Sequence, residues 1–337
     1  MYGVGLLIMK KNFIQDNIEV SILCLTYNHE EYISDALKSF VSQKTNFNFE
    51  IIIHDDASTD RTYELIDSYA EMYDNIVCIR QKVNKYYDED LFVNYINGLI
   101  RGNYIALCDG DDYWTDPGKL QMMYDNLKKN PNCSCGVHRV NCFNGDGTLN
   151  SRTIPEDYYG IKGDGIIKAK DVAKMLFINK GYPFHTSSYF FKKNVFTNAQ
   201  YMNWTKVGRD IDFIKNAILF GDVIYIDKVM SLRRLDTFSG WNNRMNSKKK
   251  WDLLLMNDII SNEKYDAFSG YRFHNEISHY ILNSCMYLLN DYPLFAQKQM
   301  KYVGNKIGIY NHIRKDLIRF CPRLLSLGLK IKEKIIG

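Results

Sequence analysis

The segment Ala106 to Trp114, ALCDGDDYW, sets three carboxylates within four residues directly behind an apolar run. Acids that close repel one another, and with the apolar Tyr113-Trp114 beside them they take up protons or bind a cation. Hard carboxylate oxygens suit Mg²⁺ or Mn²⁺, and a site built on one or two of them leaves coordination positions for substrate phosphates. A divalent-metal site is therefore expected here, with a solvated acidic turn as the competing reading. A second cluster, HDDASTD (His54 to Asp60), also follows an apolar run. Helix capping by Asp56 or Ser58, worth about 0.5–2 kcal/mol, accounts for one side chain but not for adjacent acids. The spare carboxylate is an acceptor-only group suited to a nucleobase N–H or a ribose hydroxyl.

The elements that must position these clusters are strands and helices in alternation. Apolar runs of strand length cover Ile18 to Leu25, Phe49 to Asp55, Asn75 to Gln81 and Tyr104 to Asp109. Helical periodicity covers Glu30 to Gln43, the segment after Ser58 as N-cap, Leu91 to Ile100, and a stretch from Asp116-Pro117 to Asn130-Pro131. Continuous apolar strands joined by helices imply a parallel sheet covered on both faces. Such a sheet binds ligands outside the carboxyl ends of its strands, and the polar clusters (TYNHE, DDASTD and DGDD) each follow a strand end. Their convergence on one edge is the main functional expectation.

Beyond residue 145 the pattern is weaker. Cys133 to Phe143, His185 to Lys193 and Asp222 to Met230 read as strands, Asn144 to Gly165 as a Gly-rich polar loop, and Arg209 to Phe220 as a helix closed by Gly221. From Lys248 onward the signal is helical. Cys133, Cys135, His138 and Cys142 invite a zinc reading, but a strand would turn His138 away from the first two cysteines, which is poor tetrahedral geometry. His185 is read as a satisfied core histidine.

Composition is that of a globular protein: 337 residues, 46% hydrophobic and 24% charged. The net charge of +4 is unevenly spread, because nine Lys and Arg from Lys301 onward face only Asp316 and Glu333. The body is mildly acidic and the tail basic. Basic residues do not stripe the first 300 positions, which argues against a nucleic-acid groove. The 8 cysteines are dilute and irregular, as expected for reduced, buried thiols in a cytosolic protein. No stretch approaches the ~20 apolar residues of a membrane span. The start lacks a basic region and a small-residue cleavage site, so residues 1–17 are read as a lead and not as a signal peptide. An apolar stripe flanked by Lys and Arg at 311–337 fits a helix lying in an anionic membrane interface, interrupted by Pro322.

Taken together, VSILCLTYNHEEYISDALKSF, EIIIHDDASTDRT and NYIALCDGDDYWTDPGKL resemble the family 2 glycosyltransferases, densely over residues 18 to 131 and more loosely to about Trp241. The resemblance implies an α/β fold of GT-A type, the nucleotide-diphospho-sugar transferase fold: a doubly wound mixed sheet flanked by helices, with a C-terminal helical extension. It implies a domain over 18–245, with a donor-binding half at 18–131 and an acceptor half at 132–245, followed by a helical region at 246–337. It assigns Thr26, Asn28, Asp55, Asp56, Asp109, Gly110 and Arg234 to a sugar-nucleotide donor, a UDP-sugar first. It makes Asp109 and Asp111 the D-x-D pair, with Asp111 the direct ligand of Mg²⁺ or Mn²⁺. It makes Asp210 the general base, with Asp212 as rival.

The related pattern Arg-x-His appears here as Arg234-Leu235-Asp236, so Asp236 cannot imitate a neutral imidazole. The activity implied is inverting transfer to a glycan or lipid-linked acceptor in cell-surface polysaccharide synthesis, on the cytoplasmic side, with peripheral membrane contact through 311–337. The alternative is a non-catalytic nucleotide-sugar-binding module held at the membrane by the tail. A dehalogenase-like phosphatase needs Thr or its like where Tyr113 stands. A sugar nucleotidyltransferase needs a Gly-rich basic loop after the first strand, where LTYNHE stands.

Overall fold

A computed structural model describes residues 6–9, 16–84, 97–144, 148–179, 181–197, 210–235, 247–303 and 309–320. The chain divides into two compact units, Met1–Val172 with Tyr182–Arg244 and Ala173–Gly181 with Met245–Gly337.

The first unit is built on an eleven-stranded mixed sheet among the described residues. Its strands are β1 (Leu6–Met9), β2 (Ile18–Thr26), β3 (Asn48–Asp55), β4 (Ile76–Gln81), β5 (Tyr104–Leu107), β6 (Tyr113–Trp114), β7 (Cys133–Phe143), β8 (Leu149–Ile154), β9 (Gly165–Ile167), β10 (Phe190–Lys192) and β11 (Asp222–Arg234). The order is β1-β4-β3-β2-β5-β10-β7-β11-β6, with β8 on β7 and β9 on β11. β4, β3, β2 and β5 run parallel, as their near-continuous apolar sequences require, and β10 joins β5 antiparallel. Helices α1 (Ile33–Val41), α2 (Thr62–Met72), α3 (Lys119–Lys129) and α4 (Asp210–Phe220) belong to the same unit. Ile33, Ala36, Leu37 and Phe40 form the buried stripe of α1, at helical spacing, and join Ile22, Ile51, Leu120 and Leu127 in one core.

Several boundaries differ from the sequence expectation. Asn144 to Gly165 is not only loop: β8 pairs antiparallel with β7 there. Its residues are largely exposed, so no apolar alternation betrays it. Of His185 to Lys193 only Phe190–Lys192 is a strand, because Thr186–Ser188 form a 3₁₀ turn. The helix expected from Asp116 begins at Lys119. The Asp116 carboxylate accepts the Gly118 N–H at 2.7 Å, closing a local turn ahead of it. Ser58 is not an N-cap; α2 starts at Thr62, whose N–H meets Asp60 Oδ1 at 3.0 Å. Of the helix expected at Leu91 to Ile100 only Asn97–Leu99 falls in the described residues.

The second unit holds α5 (Lys248–Phe268), α6 (His274–Leu288), α7 (Pro293–Gln299) and α8 (Ile309–Phe320). No described helix is long and apolar enough to cross a membrane. All seven described cysteines are buried and free.

Candidate functional site

Because β3, β2 and β5 are parallel neighbours, their carboxyl ends open on one edge, and the three polar segments continue from it. The connections from β2 and β5 leave in opposite directions across the sheet, which makes this the crevice where open α/β sheets take ligands. The segments are stitched together mainly by backbone groups. Asp56 N–H donates to the Thr26 carbonyl at 3.0 Å, and Gly110 N–H to the Leu25 carbonyl at 2.9 Å. Asn28 Oδ1 accepts the Thr59 N–H at 2.8 Å, and Asn28 N–H donates to Ser58 Oγ at 2.9 Å. Two residues with side chains take the left-handed region in these turns, Asn28 at φ 55° and Ala57 at φ 64°. Left-handed backbone costs a residue such as Ala about 1–2 kcal/mol, and it clusters at ligand sites.

Thr26 Oγ1 and His29 Nδ1 are 3.1 Å apart beneath the acid turn. Gly110 is required there: a Cβ would fall 2.7 Å from Thr26 Oγ1 and 2.9 Å from His29 Nδ1. The other ring nitrogen, His29 Nε2, stands 3.9 Å from Asp111 Oδ2. Asp109 and Asp111 are partly exposed, whereas Asp112 is buried. Asp112 Oδ1 accepts the Arg234 N–H at 3.0 Å, and Oδ2 lies 3.6 Å from His185 Nδ1. Burial first, and the Asp111 charge second, push the Asp112 carboxyl well above the usual range. Burial likewise lowers His185, whose Nδ1 also meets Ser187 Oγ at 2.9 Å.

On the β3 side, Asp55 is fully buried. Its Oδ1 takes the Ser58 N–H and hydroxyl, and its Oδ2 faces Arg80 Nε at 3.8 Å. Desolvation raises its pKa despite those partners. Lys119 is also fully buried, with Nζ 3.6 Å over the Trp114 ring and 2.7 Å from the Ser187 carbonyl that Trp114 Nε1 also reaches. Burial lowers its pKa well below the usual range.

Thr26, Asn28, Asp55, Asp56, Asp109, Gly110, Asp111 and Arg234 thus lie on or beside one edge. Asp210 opens α4, but its side chain lies outside the described residues, as does Asp236. Its rival Asp212 is fully buried in α4 with Lys215 Nζ 3.5 Å away, a placement that fits helix packing. His29 and Asp112 were missed as site residues; the only signal was their place in the same two strand-end segments. Of the zinc candidates, His138 is buried with Nδ1 2.9 Å from the Arg139 carbonyl.

A dication is compatible with this donor set. Asp109 and Asp111 offer partly exposed hard oxygens, while Asp112 is turned to the Arg234 N–H. No group of three His, Cys, Asp or Glu side chains fit for a metal occurs among the described residues. The set therefore suits an ion completed by water and substrate oxygens rather than a closed protein cage.

The fold is of GT-A type: S. aureus TarS, crystallised in complex with UDP-GlcNAc, superposes with a TM-score of 0.65 at 14% identity, covering 94% of this chain and 92% of that one. The model of glycosyl transferase family 2 matches residues 21–195, and the chain belongs to that family. An uncharacterised protein of Mycobacterium tuberculosis is 39% identical over 138 residues, which is 40% of this chain and 39% of the relative's length. The E. coli UDP-Glc:alpha-D-GlcNAc-diphosphoundecaprenol beta-1,3-glucosyltransferase WfaP is 35% identical over 105 residues, 28% of this chain and 36% of its own. The chain thus spans well under half the length of these curated relatives.

Proposed function

We propose that the chain is a metal-dependent, inverting glycosyltransferase, moving a sugar from a nucleoside-diphosphate donor to a hydroxyl of a glycan or lipid-linked acceptor. The observation that carries this reading is the meeting of three strand-end segments at the β2/β5 crevice, with Asp109 and Asp111 at its partly exposed rim. Thr26, Asn28, Asp55 and Asp56 would face the nucleoside, where acceptor oxygens suit N–H and hydroxyl donors. Gly110 lets the turn sit close on Thr26.

Asp111, with Asp109 beside it, would hold Mg²⁺ or Mn²⁺. Such an ion, when bound, neutralises charge on a leaving diphosphate. Asp210 would take the proton from the acceptor hydroxyl as that oxygen attacks the anomeric carbon from the face opposite the diphosphate. One displacement inverts that centre. Arg234, at the edge of the turn, adds positive charge toward the diphosphate.

A UDP-sugar is the first donor to try, in keeping with the names of the E. coli relative and of the TarS complex. The basic, partly apolar 311–337 segment supports contact with the cytoplasmic face of a membrane, where a lipid-linked acceptor would be presented. Incubation with Mn²⁺ and a panel of sugar nucleotides tests the reading. Slow release of nucleoside diphosphate from one donor supports an enzyme; a donor that raises the melting temperature yet releases nothing, with acceptor glycans present, indicates a binding module.

A further inference from the structure

The helical unit sorts its charges by depth. From residue 245 to 337 Lys and Arg outnumber Asp and Glu, and most of the acids lie inward. Asp252, Asp258, Asp266 and Glu276 are buried and Glu263 is half-buried. Asp291 and Asp316 are the exposed acids among the described residues of this stretch. The bases stay outside: Lys248, Lys249, Lys250, Lys298 and Lys301 are all exposed. Segments outside the described residues do not reverse the balance, because 304–308 and 321–337 carry Lys306, Arg323, Lys330, Lys332 and Lys334 against Glu333 alone.

At one end of the unit, large apolar side chains stand among these cations. Lys248 Nζ meets Asp291 Oδ2 at 2.6 Å, so the start of α5 lies against the corner between α6 and α7. One helical turn from Lys248 is Trp251, 44% exposed, and four residues before Asp291 is Tyr287, 54% exposed. Tyr287 is also an electrostatic neighbour of Lys248. Leu294, in the first turn of α7, is 75% exposed. Trp and Tyr suit a boundary that is apolar on one side and wet on the other, and Lys stems lie along apolar surface while the ammonium stays in water. Each base near an anionic leaflet strengthens binding about fivefold. A nucleic acid would use the lysines but gains nothing from an exposed leucine, and it asks for rings set along a groove. The combination therefore favours a lipid surface.

We propose that the start of α5 and the α6–α7 corner form a membrane-docking face, which seats Trp251, Tyr287 and Leu294 among the headgroups of an anionic bilayer and sets the lysines of the α5 start against lipid phosphates. This face is distinct from the 311–337 segment, and it stands whether or not the donor reading does.

The test is flotation of the full chain with phosphatidylcholine vesicles, with and without phosphatidylglycerol. Two double variants are compared with the parent: Lys249→Gln with Lys250→Gln, and Tyr287→Ser with Leu294→Ser. All four side chains are exposed, so melting temperatures should hold within about 2 °C. The parent should float only with the anionic vesicles. Loss of the two lysines should weaken that binding about 25-fold, and loss of the two apolar groups roughly tenfold. Tryptophan emission should shift to the blue when anionic vesicles are added to the parent, and less so in Trp251→Phe. Parental flotation in both double variants would assign any membrane contact to another surface and overturn the proposal. Equal flotation with uncharged vesicles, or binding of a single-stranded RNA oligonucleotide in place of vesicles, would overturn it too. No donor enters these assays, so a chain that releases no nucleoside diphosphate, yet loses flotation in the variants, removes the enzyme reading and keeps this face.

Discussion

Two regions of this chain bury acids, and they treat them in opposite ways. In the first unit, Asp112 receives a backbone N–H, while Asp109 and Asp111 sit partly exposed at the rim of the β2/β5 crevice. In the second unit, Asp266 of α5 is fully buried, and its oxygens are taken by side chains. Tyr302 OH and His274 Nδ1 meet Oδ2, the latter at 2.7 Å, and Ser269 Oγ lies 3.5 Å from Oδ1. The rings of Tyr271 and Tyr302 flank His274 edge-on. A carboxylate closed off by side chains on every side is a fastening. Carboxylates held at a partly exposed rim are where the proposed binding surface lies. Burial of acids alone would not separate the two; the identity of their partners does.

The sharpest way to break this contrast is to neutralise one acid at the rim. Asp111→Asn keeps the shape and removes one charge from the proposed metal pair. Metal-dependent sugar transfer should fall by at least about 10²–10³-fold, given the several kcal/mol a dication supplies to a developing anionic leaving group. The melting temperature should hold within a few degrees, because this carboxylate is partly exposed. Initial rates across a Mn²⁺ titration, beside a thermal melt, check both halves. Near-parental activity in stripped-metal buffer would remove the metal from the mechanism.

How much of this was legible in the sequence follows the range of the interactions involved. The parallel strands β2 to β5 announce themselves because burial on both faces demands continuous apolar runs such as IEVSILCL. The polar clusters at their ends were visible for the same reason: each interrupts such a run. Edge strand β8 (LNSRTI) was invisible, since its exposed faces impose no alternation. Ser58 looked like a cap by local spacing, but its hydroxyl is committed to Asp55 and to the Asn28 N–H. The Arg234–Asp35 pair, 199 positions apart, leaves no local trace at all. Sequence periodicity reports which face is buried, not which distant side chain answers a charge there.

If Asp266 is a fastening, its removal should cost stability and spare binding. Asp266→Ala strips Tyr302 OH and His274 Nδ1 of their shared acceptor and leaves both polar groups, each partly buried, without it. The expected loss is about 1–3 kcal/mol, the usual cost of leaving polar groups without their hydrogen-bond partner away from bulk water. A urea titration followed by fluorescence reads this directly. UDP affinity of the folded fraction should stay within about twofold, since a fastening of the second unit contributes no group to the proposed donor site. A large loss of UDP affinity at full stability would mean the second cluster is a ligand site after all.

The smallest effect concerns Glu263, one helical turn before Asp266. Burial raises its carboxyl from the ordinary value to about 7, with Lys298 opposing that shift only in part. Its Oε1 has no hydrogen-bond partner. A carboxyl whose pKa is higher folded than unfolded binds its proton more tightly in the folded chain. Its contribution to stability is therefore full below the unfolded pKa, near 4.5, and is lost as pH climbs through about 7. Glu263→Gln mimics the protonated form. It should match the parent chain in melting temperature at pH 5 and exceed it modestly at pH 8, where the parent must hold an ionised group in a poorly hydrated place. The group is only about half buried, so a rise of a degree or two is the scale expected. Parallel melts from pH 5 to 8 decide the matter, because equal melting temperatures at pH 8 would place Glu263 in water. That would leave Asp266 as the sole buried acid of its turn.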